Sequence, residues 1–212
     1  MSGTASLPRW LVAALGASLT VIVLASVALA LVSREPALKR YGQVPAFSLV
    51  DQTGTKVTEA DLAGKVTAVS FIYTSCTDIC PMITTIMGTV QDQLRREGLL
   101  GADVQLLSIS VDPERDTPEV LARYAREHGA DTDTWRFLTG DVAQIRNTVV
   151  SGFMLGMTKH APVHVHGGAA TAYEVEHSGK VVLVDRAGQI RAYFEGTDLN
   201  PAQVAAEIRK LR

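Results

Sequence analysis

The stretch from Val66 to Gly98 constrains this chain more than any other. Val66 to Tyr73 is an apolar, β-branched run, the pattern of a buried strand. Just beyond it lie the only two cysteines, Cys76 and Cys80, spaced C-x-x-x-C and followed by Pro81. Proline is tolerated in the first turn of a helix, where its missing N–H has no intrahelical partner. A helix is therefore predicted from about Pro81 to Gly98, with Met82, Ile83, Ile86, Val90 and Leu94 at helical spacing toward the core. The cysteines occupy a strand-to-helix turn, a place for soft-ligand or redox chemistry. Free N–H groups and the positive end of the helix dipole there favour thiolate over thiol at Cys80.

The chain has 212 residues, 47% hydrophobic and 20% charged, enough for one good core. A net charge of −2 and the absence of Lys/Arg blocks argue against nucleic acid as a partner. Two cysteines so close together make a local switch or a ligand pair, not a disulfide scaffold.

Leu11 to Val32 carries no charged residue and is long enough to span a bilayer as a helix. Ala28-Leu29-Ala30 fits a signal-peptidase site, but the run exceeds the roughly 7–15 residues of a signal-peptide core. An uncleaved anchor over 11–32 is expected, preceded by a tail over 1–10 and followed by a polar linker over 33–44. Arg9 precedes the span while Arg34, Lys39 and Arg40 follow it, so a positive-inside count alone puts the 45–212 domain in the cytoplasm.

From Pro45 onward, strands and helices alternate. A hairpin is expected around Asp51-Gln52-Thr53-Gly54-Thr55, and a second buried strand over Val104 to Val111. Thr117-Pro118-Glu119 opens a helix to about His128, with Thr117 as cap. Trp135 to Leu138 reads as a short strand, and Gly140-Asp141 opens a helix to about Val150. A Gly-, His- and Ala-rich loop spans Gly152 to Thr171. A hairpin around Asp185 to Gly188 and a helix from Asn200-Pro201 to Leu211 close the chain. This pattern, with a cysteine turn after the first core strand, predicts an α/β, thioredoxin-like fold: a central mixed sheet flanked by helices.

Two chemistries suit Cys76 and Cys80. They could cycle between dithiol and disulfide, or act as thiolate ligands for a soft metal, with Cu(I) the natural ion. The metal reading requires a third donor. His177, just before the strand Val181 to Val184, is the best candidate, since that hairpin can approach the cysteine turn in a thioredoxin-like fold. An S,S,N set accepts either copper oxidation state.

Residues 45–212 resemble the Sco/SenC family of membrane-anchored copper-binding proteins. Phe71 to Pro81 looks like that family's F-x-Y-T-x-C-P-D-x-C-P, and Ser110 to Pro118 like its S-V-D-P-x-R-D-T-P. Glu176-His177-Ser178 matches its (D/E)-H-S, and Leu183 to Gly188 its (L/V)-x-D-x-x-G. Thr77 stands where the pattern has proline, and Gly179 where it has threonine. The resemblance implies copper, as Cu(I) or Cu(II), held by Cys76, Cys80 and His177. It implies delivery to the copper-accepting subunit of a haem–copper cytochrome oxidase, whose binuclear copper centre is thereby assembled. It also implies a single-pass protein of the bacterial inner membrane with its domain in the periplasm, against the charge count. Other copper chaperones and thioredoxin-like reductants are further partners.

The rival reading is a membrane-anchored thiol–disulfide reductase acting on a target's copper-ligand cysteines. A peroxiredoxin-like activity is disfavoured, because nothing singles out the arginine it needs. His164-Val165-His166, with His160, suits a second copper site or an exposed polar loop, the latter preferred. His128 reads as structural. Asp78 could tune the thiolates or satisfy turn N–H groups, and Asp112 and Asp116 organise a turn. Met82, Met87, Met154 and Met157 are possible thioether donors, although helical spacing makes Met82 a core residue.

Overall fold

The computed structural model describes residues 39–159, 175–177 and 179–212, with helical pieces at 18–20, 22–24 and 26. The chain divides into two compact units, Met1–Leu38 and Lys39–Arg212. In the first, Ser26 Oγ donates to the Ile22 carbonyl one turn back, and Leu19, Ile22, Val23 and Leu24 are exposed. The expected anchor falls largely outside the described residues, among which no helix is long and apolar enough to cross a membrane.

The second unit is built on an eight-stranded mixed sheet. In chain order its strands are β1 (Gly42–Gln43), β2 (Ser48–Asp51), β3 (Lys56–Thr58), β4 (Val66–Ile72), β5 (Val104–Ser110) and β6 (Trp135–Thr139). A separate two-stranded ribbon, β7 (Met157–Lys159) and β8 (Val175–His177), precedes β9 (Lys180–Val184) and β10 (Gln189–Glu195). The spatial order is β1-β10-β9-β4-β5-β6-β2-β3. The helices are α1 (Ile79–Arg96), α2 (Pro118–Glu127), α3 (Val142–Arg146) and α4 (Pro201–Leu211).

Strands β4, β5 and β6 run parallel, linked by α1 and α2, whereas β9 lies antiparallel on the other side of β4. Every residue of β4 and β5 is buried, as expected for strands covered on both faces. Register puts Ser70, Ser108 and Phe137 on one face. The Phe137 ring meets Tyr124 of α2 edge-on at 6.1 Å, so that face carries α2. Alternation turns Phe71 to the opposite face, where Phe153 packs edge-on against it at 5.1 Å. The strand carrying the cysteine turn is thereby clamped from both sides. Inside the clamp Ser70 and Ser108 hydroxyls pair at 2.7 Å, and Trp135 Nε1 donates to Ser108 at 2.9 Å, so the buried polar atoms are satisfied.

Local chemistry explains most element boundaries. Asp51 accepts from the Thr53 and Thr55 N–H groups and from the Thr53 hydroxyl, closing the β2–β3 hairpin. Asp185 accepts from the Ala187 and Gln189 N–H groups in the same way between β9 and β10. Thr117, Asp141 and Asn200 cap α2, α3 and α4 through side-chain oxygens. Both hairpins, the caps and the closing helix match the sequence reading.

Four features differ from it. The backbone joins the sheet earlier than Pro45, since β1 pairs with β10 from Gly42. Helix α1 begins at Ile79, two residues before Pro81, which sits in the first turn where its missing N–H still lacks an intrahelical partner. The buried face of α1 runs through Ile83, Met87, Val90 and Leu94, and Met82 is 40% exposed, which corrects its expected place in the core. The third predicted helix ends at Arg146 and passes into a wide π-helical turn, Asn147–Gly152, before β7 forms inside the expected loop. Gly152 lies flat on Pro45, where an added Cβ would come within 2.2 Å of Pro45 Cγ, so the turn shape is set by packing from the start of the unit.

Candidate metal centre

The cysteine turn begins where β4 ends. Cys76 N–H donates to the Tyr73 carbonyl at 3.2 Å, folding the chain back, and Val111 N–H donates to the Ile72 carbonyl at 2.8 Å, carrying the β4–β5 pairing up to the turn. Asp78 is the residue before α1, but its side chain caps nothing and is exposed. A sulfur takes the cap's place, as Cys80 N–H donates to Cys76 Sγ at 3.4 Å. One of the four orphan N–H donors of the helix start is thus satisfied by the first cysteine. Neither cysteine is bridged in a disulfide and both are buried; Cys76 retains 9% exposure and Cys80 none. Ser75, Thr77 and Asp78 form an exposed polar rim around them.

Burial changes the expected electrostatics. Desolvation, and then the neighbouring Cys76 sulfur, push the Cys80 thiol up, and the Asp116 carboxyl adds to this against a hydrogen bond with the Tyr73 backbone. The expectation of a thiolate at Cys80 is therefore corrected. A helix terminus contributes on the order of 1 kcal/mol, less than removing a thiolate from water costs. Burial thus favours the thiol over the thiolate at Cys80.

Beneath the turn lies a buried polar bracket that sequence reasoning did not assign. Asp116 is fully buried and accepts from the Thr74 hydroxyl (2.5 Å), the Thr74 N–H (3.1 Å) and the Ser110 hydroxyl (2.6 Å). It joins the loop after β5 to the residue two positions before Cys76. Burial pushes its carboxyl up, while the hydrogen bonds from Ser110 and Thr74 pull it down. Asp112 keeps its expected turn role, its carbonyl accepting from the Arg115 and Asp116 N–H groups. The motif Ser110 to Pro118 marked both acids without indicating that Asp116 reaches the cysteine turn. On α1, the Thr84 hydroxyl donates to the Cys80 carbonyl at 2.8 Å and pairs with the Tyr124 hydroxyl at 2.8 Å. Burial pushes the Tyr124 phenol up to about 12. His128 stacks on Tyr124 at 4.1 Å at the end of α2, a structural position as expected.

His177 is the last residue of β8, and its backbone pairs with Met157 of β7. Gly179 follows closely and rests on the first turns of α1. An added Cβ there would come within 2.4 Å of Ile79 Cδ1 and 3.5 Å of Ile83 Cδ1. The chain two residues past His177 thus lies against the residue adjacent to Cys80. The same contact explains glycine at a position where the resemblance has threonine. Among the described residues no group of three His, Cys, Asp or Glu side chains converges as a ready cage. Cys76 and Cys80 stand one helical turn apart, and His177 is placed only by its backbone, opposite Met157 in the ribbon. His160, His164 and His166 lie outside the described residues. Of the methionines, Met87 is sealed in the core, Met154 is exposed with a left-handed backbone (φ 54°), and Met157 is half-buried.

The chain is 39% identical over 160 residues to the SCO1 protein homolog of Bacillus subtilis, covering 75% of this chain and 77% of that one. It is similar to ScoI of Bradyrhizobium japonicum with copper bound, at a TM-score of 0.62 and 29% identity, over 80% of this chain and 99% of that one. It is also similar to BsSco, a member of the Sco family of cytochrome c oxidase assembly proteins in which a disulfide switch has been identified. There the TM-score is 0.66 and the identity 26%, over 82% of this chain and 95% of that one. The SCO1/SenC family model matches residues 36–212. A match spanning the whole sheet, the cysteine turn and the strand that ends at His177 means that this chain belongs to the SCO1/SenC family.

Proposed function

We propose that this protein is a membrane-anchored copper metallochaperone. It carries one copper ion on Cys76, Cys80 and His177 and passes it to the copper-accepting subunit of a haem–copper oxidase. The observation that carries this reading is the meeting of two elements. Two buried sulfurs outside any disulfide share one turn, and Gly179, two residues after the end of the His177 strand, lies against Ile79 beside that turn. Two thiolates and an imidazole form a soft donor set that holds Cu(I) well and tolerates Cu(II). The Cys80 proton leaves when copper arrives, so copper affinity and thiol protonation are linked. The copper-bound ScoI and the oxidase-assembly role of BsSco support both the cargo and the recipient.

The uncharged run over 11–32 supports an inner-membrane anchor, and the family supports a periplasmic domain. Other copper chaperones and thioredoxin-like reductants fit as donors of metal and electrons. In this reading the protein is a carrier and not an enzyme. The disulfide switch of BsSco supports a second reading, thiol–disulfide reduction of a partner's copper-ligand cysteines through Cys76 and Cys80.

His177 separates the two. The full chain in detergent, reduced and anaerobic, is titrated with Cu(I) against a competing chelator beside a His177→Ala variant. One tight equivalent, weakened about ten-fold or more in the variant, corresponds to a ligand contributing at least about 1.4 kcal/mol. Absent binding, or binding indifferent to His177, overturns the three-ligand site and leaves thiol exchange as the function.

A further inference from the structure

The two-stranded ribbon brings a second soft donor to His177. Met157 opens β7, and its direct partner across the ribbon is His177. Directly opposite residues of an antiparallel pair stand on the same face, with Cβ atoms about 4.5–5.5 Å apart. Met157 is half-buried at the margin of the core, in contrast to the sealed Met87 and to Met82 and Met154, which are exposed. Among the described methionines it is the one whose register places it beside a proposed ligand. Because Gly179 seats this part of the chain on Ile79, whatever carries His177 to the cysteine turn carries Met157 with it.

We infer that Met157 is a further copper donor, its thioether sulfur a weak fourth ligand beside Cys76, Cys80 and His177. This assignment rests on the three-ligand reading above. A thioether is soft and neutral, so it donates a lone pair without releasing a proton and without adding charge. A distant thioether on a sulfur- and imidazole-ligated copper tunes the site without dominating it, and favours Cu(I) over Cu(II). A packing role requires only volume and polarizability, which leucine largely reproduces.

The test compares wild type, Met157→Leu and His177→Ala as full chains in detergent, each loaded with one equivalent of Cu(I). Selenomethionyl wild type is examined alongside by X-ray absorption. The expected result for Met157→Leu is unchanged apo melting and stoichiometry, with Cu(I) binding weakened roughly three- to ten-fold and Cu(II) binding nearly unchanged. The selenomethionyl protein should show a copper–selenium path that Met157→Leu abolishes. Should Met157→Leu fail to fold, selenomethionyl Met157→Gln takes its place: loss of the path supports the assignment and its persistence overturns it. If His177→Ala weakens binding while no copper–selenium path exists, Met157 only packs and the inference falls, but the three-ligand site stands. If His177→Ala binds as wild type does, the three-ligand site falls and the thioether assignment falls with it.

Discussion

A single buried carboxyl governs the geometry of the cysteine turn. Asp116 accepts three hydrogen bonds, two of them from half-buried Thr74, and without it the buried Ser110 hydroxyl and the Thr74 donors would lose their acceptor. Leaving buried donors unsatisfied costs about 1–3 kcal/mol. Asp116→Ala is therefore expected to lower the unfolding free energy by that amount in urea titrations, with Cu(I) affinity falling as the turn loosens. Unchanged stability would mean that Asp116 braces nothing. Tyr124 makes a separate prediction at the alkaline end. Its phenol is pushed up to about 12 in the fold, above the ordinary value near 10. The folded state thus prefers the protonated form, and this contribution is complete below pH 10 and lost as pH rises through 12. The loss is about 2–3 kcal/mol. Tyr124→Phe should flatten that part of the stability–pH curve, measured by urea unfolding between pH 9 and 12.

At the scale of elements, the site depends on how closely the β8–β9 connection approaches α1. Gly179 has no side chain, and any Cβ there would meet Ile79 at 2.4 Å. Overpacking of this kind typically costs about 1–3 kcal/mol. Gly179→Thr, the residue that the family pattern contains, is expected to push the His177 strand off α1 and weaken Cu(I) binding several-fold. Trimming the opposing side chain in a Gly179→Thr, Ile79→Ala double variant should restore it. A double variant no better than the single one would place the constraint elsewhere. The clamp on β4 gives an independent check. Phe153 is fully buried and covers Phe71, so Phe153→Ala should destabilise by about 3–5 kcal/mol, read from denaturant midpoints. The wide turn over Asn147–Gly152 makes that cover possible by delivering Phe153 to the sheet face opposite α2.

At the scale of the whole molecule, one unit, Lys39–Arg212, holds the sheet, the flanking helices and the site. Its ends are tied in by β1 against β10 and by α4 against α1, where Arg209 bonds Glu97 at 2.9 Å. Copper that binds only this folded unit must stabilise it by mass action. With free Cu(I) buffered at a hundredfold over its dissociation constant, the gain is about 2.7 kcal/mol. Melting temperature should rise on loading and return on adding a stronger Cu(I) chelator. A protein whose melting ignores copper would carry no specific site.

The sequence by itself determined the features whose causes are local. The apolar runs became β4 and β5, the Asp-centred turns became hairpins, and Thr117, Asp141 and Asn200 became caps, because each cause lies within a few residues of its effect. The cysteine turn was legible for the same reason, and the family motifs singled out His177. What the tertiary structure decided are relations between residues far apart in the chain. Asp116 reaches Thr74, Gly179 reaches Ile79, and Met157 pairs with His177 across a loop whose composition announced no strand. The protonation of Cys80 belongs with these. Dipole and spacing pointed to a thiolate, but the desolvation that overrides them is set by the packing of α1 and the sheet around the sulfur, and no local pattern encodes it.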